Sequence, residues 1–305
     1  MDIVAAAPAG CNTNNHHEWA PFVVGEAVVT VDHAWWAGLT EAARAEISAL
    51  GEVVSAPVDR PHPAQDSDRF WAVYRAHNRQ YEHQRWHPGV AGWMAGRGDL
   101  LTLVVLGPPE LEWLEAGGSP PVPTRLAGML SGAMATHYPA FVKTAVSSGK
   151  NDHPMTECRD LHDVVDRLTR SPEHAKYYRR CLDAGLDGFL VFQRWNDDIT
   201  QANEYRVLVA GGRVRGIAQQ KWYKYISRDP GELERVGALV LEAWDELRRL
   251  LPFGDTVLDL WVDDDSVVHL IECNPGGRWA SSGSSLFHWV TDDVENLARP
   301  MIKFF

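Results

Sequence analysis

In TVLDLWVDDDSVVHLIECNPGGRW, residues 256–279, two short apolar runs flank an acidic turn. Val257, Leu258, Leu260, Trp261 and Val262 form the first run, and Val267, Val268, Leu270 and Ile271 the second. Asp263, Asp264, Asp265 and Ser266 are turn formers, so the pattern predicts a hairpin of two strands. Asp259, Glu272 and Asn274 interrupt the apolar runs. Side chains alternate faces along a strand, so Glu272 and Asn274 point the same way. A register that pairs them near Asp259 brings three oxygen ligands to one spot. Two carboxylates and an amide oxygen form a hard-oxygen set suited to Mg²⁺, with Mn²⁺ as the alternative; such ions keep waters and bind phosphates. The competing interpretation is three ordinary polar residues at strand ends. Against it stands the continuation, Asn274-Pro275-Gly276-Gly277-Arg278, which forces an irregular loop directly after the strand, where sites concentrate.

The remaining composition bounds the class of protein. At 305 residues, with 45% hydrophobic and 23% charged residues, the chain is globular and can bury a sizeable core in two or three lobes. No apolar run approaches the roughly 18 residues that span a bilayer. The N-terminus, MDIVAAAPAG, has no basic leader, so no secretory signal is predicted. Cys11, Cys158, Cys181 and Cys273 are scattered without a CxxC pair and are expected to be free thiols in a reducing cytoplasm. A net charge of −12 without a basic run argues against nucleic acid or an anionic membrane as partner.

Along the chain, a strand is expected at Glu26–Val31, a helix over Ala34–Leu50, a loop over Val58–Gln65 and a helix over Asp66–Trp86 capped by Asp66 or Ser67. His83 and His87, four apart, and His16-His17-Glu18 lack the partners and spacing of a metal site and are expected to be surface or packed histidines. Asp99–Leu106 has the composition of a buried strand, and Gly117–Pro123 is a Pro/Gly loop suited to a boundary. Helices are expected at Thr124–Ala135, Asp160–Thr169, Pro172–Leu182 and Pro230–Leu250.

Two further stretches carry chemistry. In PAFVKTAVSSGK, residues 139–150, a strand end presents Lys143, and Ser147, Ser148, Gly149 and Lys150 form a small donor-rich turn able to cradle phosphate oxygens. The spacing is not that of a Walker loop, and a plain surface turn has the same composition. In Asn203–Val209 the alternation puts Glu204, Arg206 and Leu208 on one face. Glu204 and Arg206 suit a surface ion pair, or a ribose, metal or phosphate contact beside a nucleotide. A Gly211-Gly212 turn leads to a strand over Val214–Gln220, and Lys221 follows.

The order of strand lysine, Ser/Gly loop, helices, hinge strand, Glu-x-Arg strand, lysine strand and Asp…Glu-x-Asn hairpin resembles the ATP-grasp fold. Within it, the chain resembles the cell division cycle protein 123 family through Phe192-Gln193-Arg194-Trp195, Asn203-Glu204-Tyr205-Arg206, Ile217-Ala218-Gln219-Gln220, Leu270-Ile271-Glu272-Cys273-Asn274-Pro275 and Leu286-Phe287-His288-Trp289. The resemblance covers residues about 136–290. It implies an α+β ATP-grasp fold, two α+β lobes holding ATP between antiparallel sheets, preceded by an N-terminal α/β region. The expected division is 1–122 for that region, 123–190 for the N-terminal lobe and 191–305 for the C-terminal lobe with the metal site. The implied roles are phosphate contacts from Lys143, with Ser147, Ser148 and Gly149 in the loop above and Lys150 as an extra contact. Gln193, Arg194 and Trp195 would line the adenine, Asp197 and Glu204 would serve the nucleotide, Arg206 and Lys221 would offset phosphate charge, and Asp259, Glu272 and Asn274 would hold Mg²⁺. Most ATP-grasp enzymes pass the γ-phosphoryl group to a carboxylate and let an amine displace phosphate from the acyl phosphate. An ATP-dependent carboxylate–amine ligase is therefore the leading expectation, with a small-molecule or peptide acid and an amine as substrates. The alternative is an ATP-binding assembly chaperone for a translation initiation factor, which requires a protein partner.

Overall fold

The computed structural model describes residues 1–5, 19–57, 62–63, 67–148, 156–220, 226, 228–277, 285–287, 289 and 292–304. Two compact units emerge: residues 1–81 with 198–305, and residues 82–197. Gly149, Lys150, Lys221 and the His16-His17-Glu18 run lie outside the described residues, as does most of the loop expected at Val58–Gln65.

The first unit begins with β1 (Asp2–Ala5), β2 (Trp19–Ala20), β3 (Phe22–Val24), β4 (Val28–Asp32), α1 (His33–Gly38), α2 (Glu41–Ser48), β5 (Glu52–Ala56), β6 (His62–Pro63) and α3 (Asp68–Arg79). Phe22, Val29, Val31, Ile47, Phe70 and Val73 form the core of this region. The single helix expected over Ala34–Leu50 is two. Thr40 ends the run by accepting a hydrogen bond from the Ala43 N–H and starting α2, a capping signal stronger than the alanine composition. Ser67 caps α3 in the same way through the Phe70 N–H. The helix expected to reach Trp86 stops at Arg79.

The second unit contains α4 (His83–Ala95), β7 (Leu101–Leu106), α5 (Pro108–Glu115), α6 (Thr124–Thr136), β8 (Ala140–Thr144), α7 (Leu161–Arg170), α8 (Pro172–Asp183) and β9 (Gly188–Arg194). The strands form an antiparallel sheet in the order β7-β9-β8. Helices α5–α8 contribute Leu111, Leu114, Leu126, Leu130, Val164, Leu168, Tyr177 and Tyr178 to a core shared with Val142, Leu190 and Phe192. Strand β7 departs from its expected full burial: Val104 and Leu106 on one face are buried, whereas Val105 on the other is 44% exposed, so only one face of β7 packs on the core. The Gly117–Pro123 loop joins α5 to α6 inside this unit. Among the described residues, Cys158, Cys181 and Cys273 are buried and unbridged, and no helix is long and apolar enough to cross a membrane.

The chain returns to the first unit with β10 (Glu204–Ala210), β11 (Arg213–Gln219), α9 (Pro230–Leu247), β12 (Thr256–Val262), β13 (Val268–Pro275) and β14 (Met301–Phe304). A mixed sheet runs β1-β14-β11-β10-β12-β13, with β1, β14 and β11 parallel and the rest antiparallel. A Cβ on Gly237 of α9 would meet Ile302, so α9 covers the face carrying Val207, Ile217 and Ile302. The opposite face meets Leu286, Phe287 and Trp289 of the C-terminal segment, packed against Leu208, Ala218 and Val257. The expected hairpin is β12–β13, and its following glycines have distinct reasons. Gly277 adopts φ 98°, and a Cβ on Gly276 would stand 2.4 Å from the Thr256 backbone nitrogen. Gly276→Ala must displace backbone beside Asn274; an expected loss of about 1–3 kcal/mol is checked by urea denaturation, and an unchanged midpoint contradicts it.

Candidate functional site

Register decides which polar groups meet. Arg206 on β10 lies directly opposite Asp259 on β12, and Asp259 directly opposite Glu272 on β13. Opposed residues share a face, so the three form a row across three strands. Asn274 follows Glu272 on that face. The row is aligned by an irregularity: Asp259 pairs with Glu272 but Leu260 with Leu270, leaving Ile271 as an extra residue that re-aims the end of β13. The Thr256 hydroxyl donates to the Asn274 carbonyl at 2.9 Å and ties that end down.

Arg206 grips Asp259 with both prongs. Its Nε donates to Oδ1 at 2.7 Å and its terminal nitrogen to Oδ2 at 2.8 Å, with the side chains 7% and 2% exposed. Burial opposes the charged guanidinium, yet Asp259, and after it Glu272 and Glu204, hold Arg206 above the usual arginine range. The Asn274 amide nitrogen stands 3.4 Å from both Asp259 Oδ2 and Glu272 Oε1. Amide nitrogen and oxygen exchange places by rotation of the terminal group, which turns the Asn274 oxygen toward the same point. The donor set therefore suits a hard divalent cation, and each Asp259 oxygen keeps a second lone pair beside the arginine bond. At the hairpin tip, burial raises the Asp263 carboxyl pKa, but bonds from the Val267 N–H and His269 outweigh it and hold the group low. The His269 ring stacks on Trp261 at 4.2 Å. The acidic turn is thus bonded into the hairpin.

The phosphate-loop and hinge candidates belong to the second unit. Lys143 on β8 is buried at 3% exposure and opposes Val191 on β9, so it shares a face with Gln193 two residues on. Trp195 donates its indole N–H to Asp197 at 2.7 Å, and its ring centroid lies 6.4 Å from that of Phe141. Arg194 is exposed. Ser147 is held on several sides: its hydroxyl donates to Glu173 at 2.5 Å, its N–H to the Thr144 hydroxyl at 3.1 Å, and its carbonyl bonds Thr144 and His174. Ser148 is half-buried beside it. Sequence reasoning missed this clamp. The Ser171-Pro172 helix start was the available signal, since it places Glu173 and His174 in the first turn of α8. His83 is packed, with Nδ1 3.0 Å from the Ala145 carbonyl and its ring against Trp86.

The remaining cluster of potential ligands among the described residues is Asp160, His162 and Asp163. There Asp160 accepts from the Asp163 N–H and Asp163 from the Arg159 N–H, so both carboxylates serve the start of α7.

Residues 157–298 match the family model D123. The chain resembles the D123 family. The match spans the hinge strand, the Glu-x-Arg strand and the hairpin, and begins after the Pro139–Lys150 loop. Cdc123 from Schizosaccharomyces pombe is similar in structure, with a TM-score of 0.60 and 18% identity over 74% of this chain and 95% of that one. Its C-terminally truncated form gives 0.59 with the same identity and coverage. An ATP-grasp RimK domain protein from Sphaerobacter thermophilus gives 0.40 at 13% identity, over 85% of this chain and 93% of that one. No curated protein sequence matches the chain. The fold is α+β and similar to that of Cdc123.

Removing one member of a buried ion pair strands the other. Arg206→Met is expected to lose about 3–5 kcal/mol in chemical denaturation, and Arg206→Met/Asp259→Leu to recover most of it. A double variant no more stable than the single would contradict the pairing.

Proposed function

We propose that this protein binds ATP with Mg²⁺ and acts as an ATP-binding assembly chaperone for a protein partner, such as the translation initiation factor that the family resemblance implied. The observation that carries the nucleotide reading is the convergence of Asp259, Glu272 and Asn274 beside the Arg206 guanidinium. The D123 match over residues 157–298 favours the chaperone over the amide ligase. An acidic chain of net charge −12 suits a basic partner surface.

In this proposal Asp259, Glu272 and Asn274 would hold the cation, which would supply positive charge to offset that of the phosphates. Lys143 contacts phosphate oxygens as a point charge. Gln193, Arg194 and Trp195 line the adenine, and Asp197 orients the Trp195 ring through their hydrogen bond while reaching the ribose. Glu204 serves the nucleotide side of the row. Ser147 shapes the loop, since its hydroxyl donates to Glu173 and its N–H to Thr144, and Ser148 contacts phosphate through its hydroxyl. Gly149, Lys150 and Lys221 keep the phosphate roles implied by the resemblance.

Calorimetric titration with a non-hydrolysable ATP analogue tests the reading. Binding is expected to tighten at least tenfold with Mg²⁺, and Glu272→Gln to lose that gain while keeping a normal circular dichroism spectrum. Lys143→Ala is expected to weaken ATP far more than adenosine. Affinity indifferent to Mg²⁺ in the wild type would overturn the cation assignment. Turnover separates the two functions: a chaperone releases little ADP from ATP, whereas ADP release that rises steeply with one acid and one amine would make the protein the carboxylate–amine ligase.

A further inference from the structure

Resting on the cation site proposed above, we infer that Arg206 is a resident counter-cation that makes this site refuse a bare divalent ion and accept one only together with a polyphosphate. The carboxylate deepest in the donor set, Asp259, is neutralised across both oxygens by a guanidinium at 2.7 and 2.8 Å, on side chains almost wholly removed from water. A divalent ion seated on the free lone pairs of Asp259 would stand within a few ångströms of that fixed positive charge. Burial leaves little solvent to screen the repulsion. Glu272 is the remaining carboxylate among the three proposed ligands, and a single carboxylate with an amide oxygen is a weak site for an ion that gives up its waters reluctantly. A polyphosphate changes the balance by adding several negative charges to the same point. Glu204, two residues from Arg206 on the same strand face, further biases the row toward holding its guanidinium in place.

The geometry also gives Arg206 a positioning role. A two-pronged bond fixes the plane of the Asp259 carboxylate, and with it the direction of the lone pair that Oδ2, the oxygen beside Asn274, keeps for the cation. The arginine thus orients the ligand and weakens its attraction for a cation arriving alone. The ion would therefore enter as the metal–nucleotide complex, and free intracellular Mg²⁺ would leave the site unfilled.

The test is direct Mn²⁺ binding, followed by electron paramagnetic resonance of free Mn²⁺, on the wild type, Arg206→Met and Arg206→Lys, each checked for fold by circular dichroism. With MnCl₂ alone, the wild type is expected to bind with a Kd above about 1 mM, the weak regime for such sites. Arg206→Met is expected to bind at least tenfold tighter, and Arg206→Lys, which keeps one positive charge, to stay within threefold of the wild type. Wild-type protein that binds Mn²⁺ alone as tightly as in the presence of ADP would overturn the inference, whether or not the variants fold. So would a folded Arg206→Met with unchanged affinity. ADP binding that is the same with and without Mn²⁺ in the wild type would instead overturn the cation site itself, and the inference with it.

Discussion

One buried ion pair sets the terms for the rest of the sheet. Asp259 sits in the middle of β12, a strand buried along its whole length, where an unpaired carboxylate would be strongly disfavoured. Arg206 on the neighbouring strand makes it tolerable, and because both prongs are used, the relative register of β10 and β12 is fixed wherever that pair forms. Glu272 and Asn274 take their places from the same row. Strand pairing that slipped by one residue would turn Asp259 toward the apolar face covered by α9, so the pair and the hydrophobic pattern demand the same register.

The two faces of that sheet differ in what they carry. One is apolar and packs on α9. The other receives Leu286, Phe287 and Trp289 over one part and keeps the polar row over another. Gly216 allows this: a Cβ there would come within 2.9 Å of the Phe287 ring, so the ring rests against bare backbone. The Leu-Phe-x-Trp ending noted in the sequence is thus a packing element for the site face. In the second unit the same economy appears at Ser147, where helix α8 supplies two side chains that fix a turn.

What was legible in the sequence was local. The hairpin over 256–275, the helices expected at Asp160–Thr169 and Pro172–Leu182 and the Gly211-Gly212 turn announce themselves within a few residues, and the structure has each of them. Thr40 was equally local but hidden by a long alanine-rich run whose composition argued for one helix. The one-sided burial of β7 could not be read from its composition, because apolar content does not tell which face of a strand is covered. The candidate ligands followed from alternation, which puts Glu272 and Asn274 on one face, and from a hairpin that brings Asp259 opposite Glu272. The grip of Arg206 on Asp259 spans 53 positions and that of Ser147 on Glu173 spans 26, so both are products of topology. That distinction matters for function: Arg206 was expected to face phosphate, and the fold turns it first toward a carboxylate.

The central claim is that Asp259, Glu272 and Asn274 together seat a divalent cation. The most direct measurement is a crystal structure grown with Mn²⁺ and a non-hydrolysable ATP analogue, with anomalous data collected to locate the metal. The account predicts an anomalous peak about 2.1 Å from oxygens of Asp259, Glu272 and Asn274, with phosphate oxygens completing its shell. A nucleotide bound with its metal ligated elsewhere, by Asp160 and Asp163 for example, would contradict it.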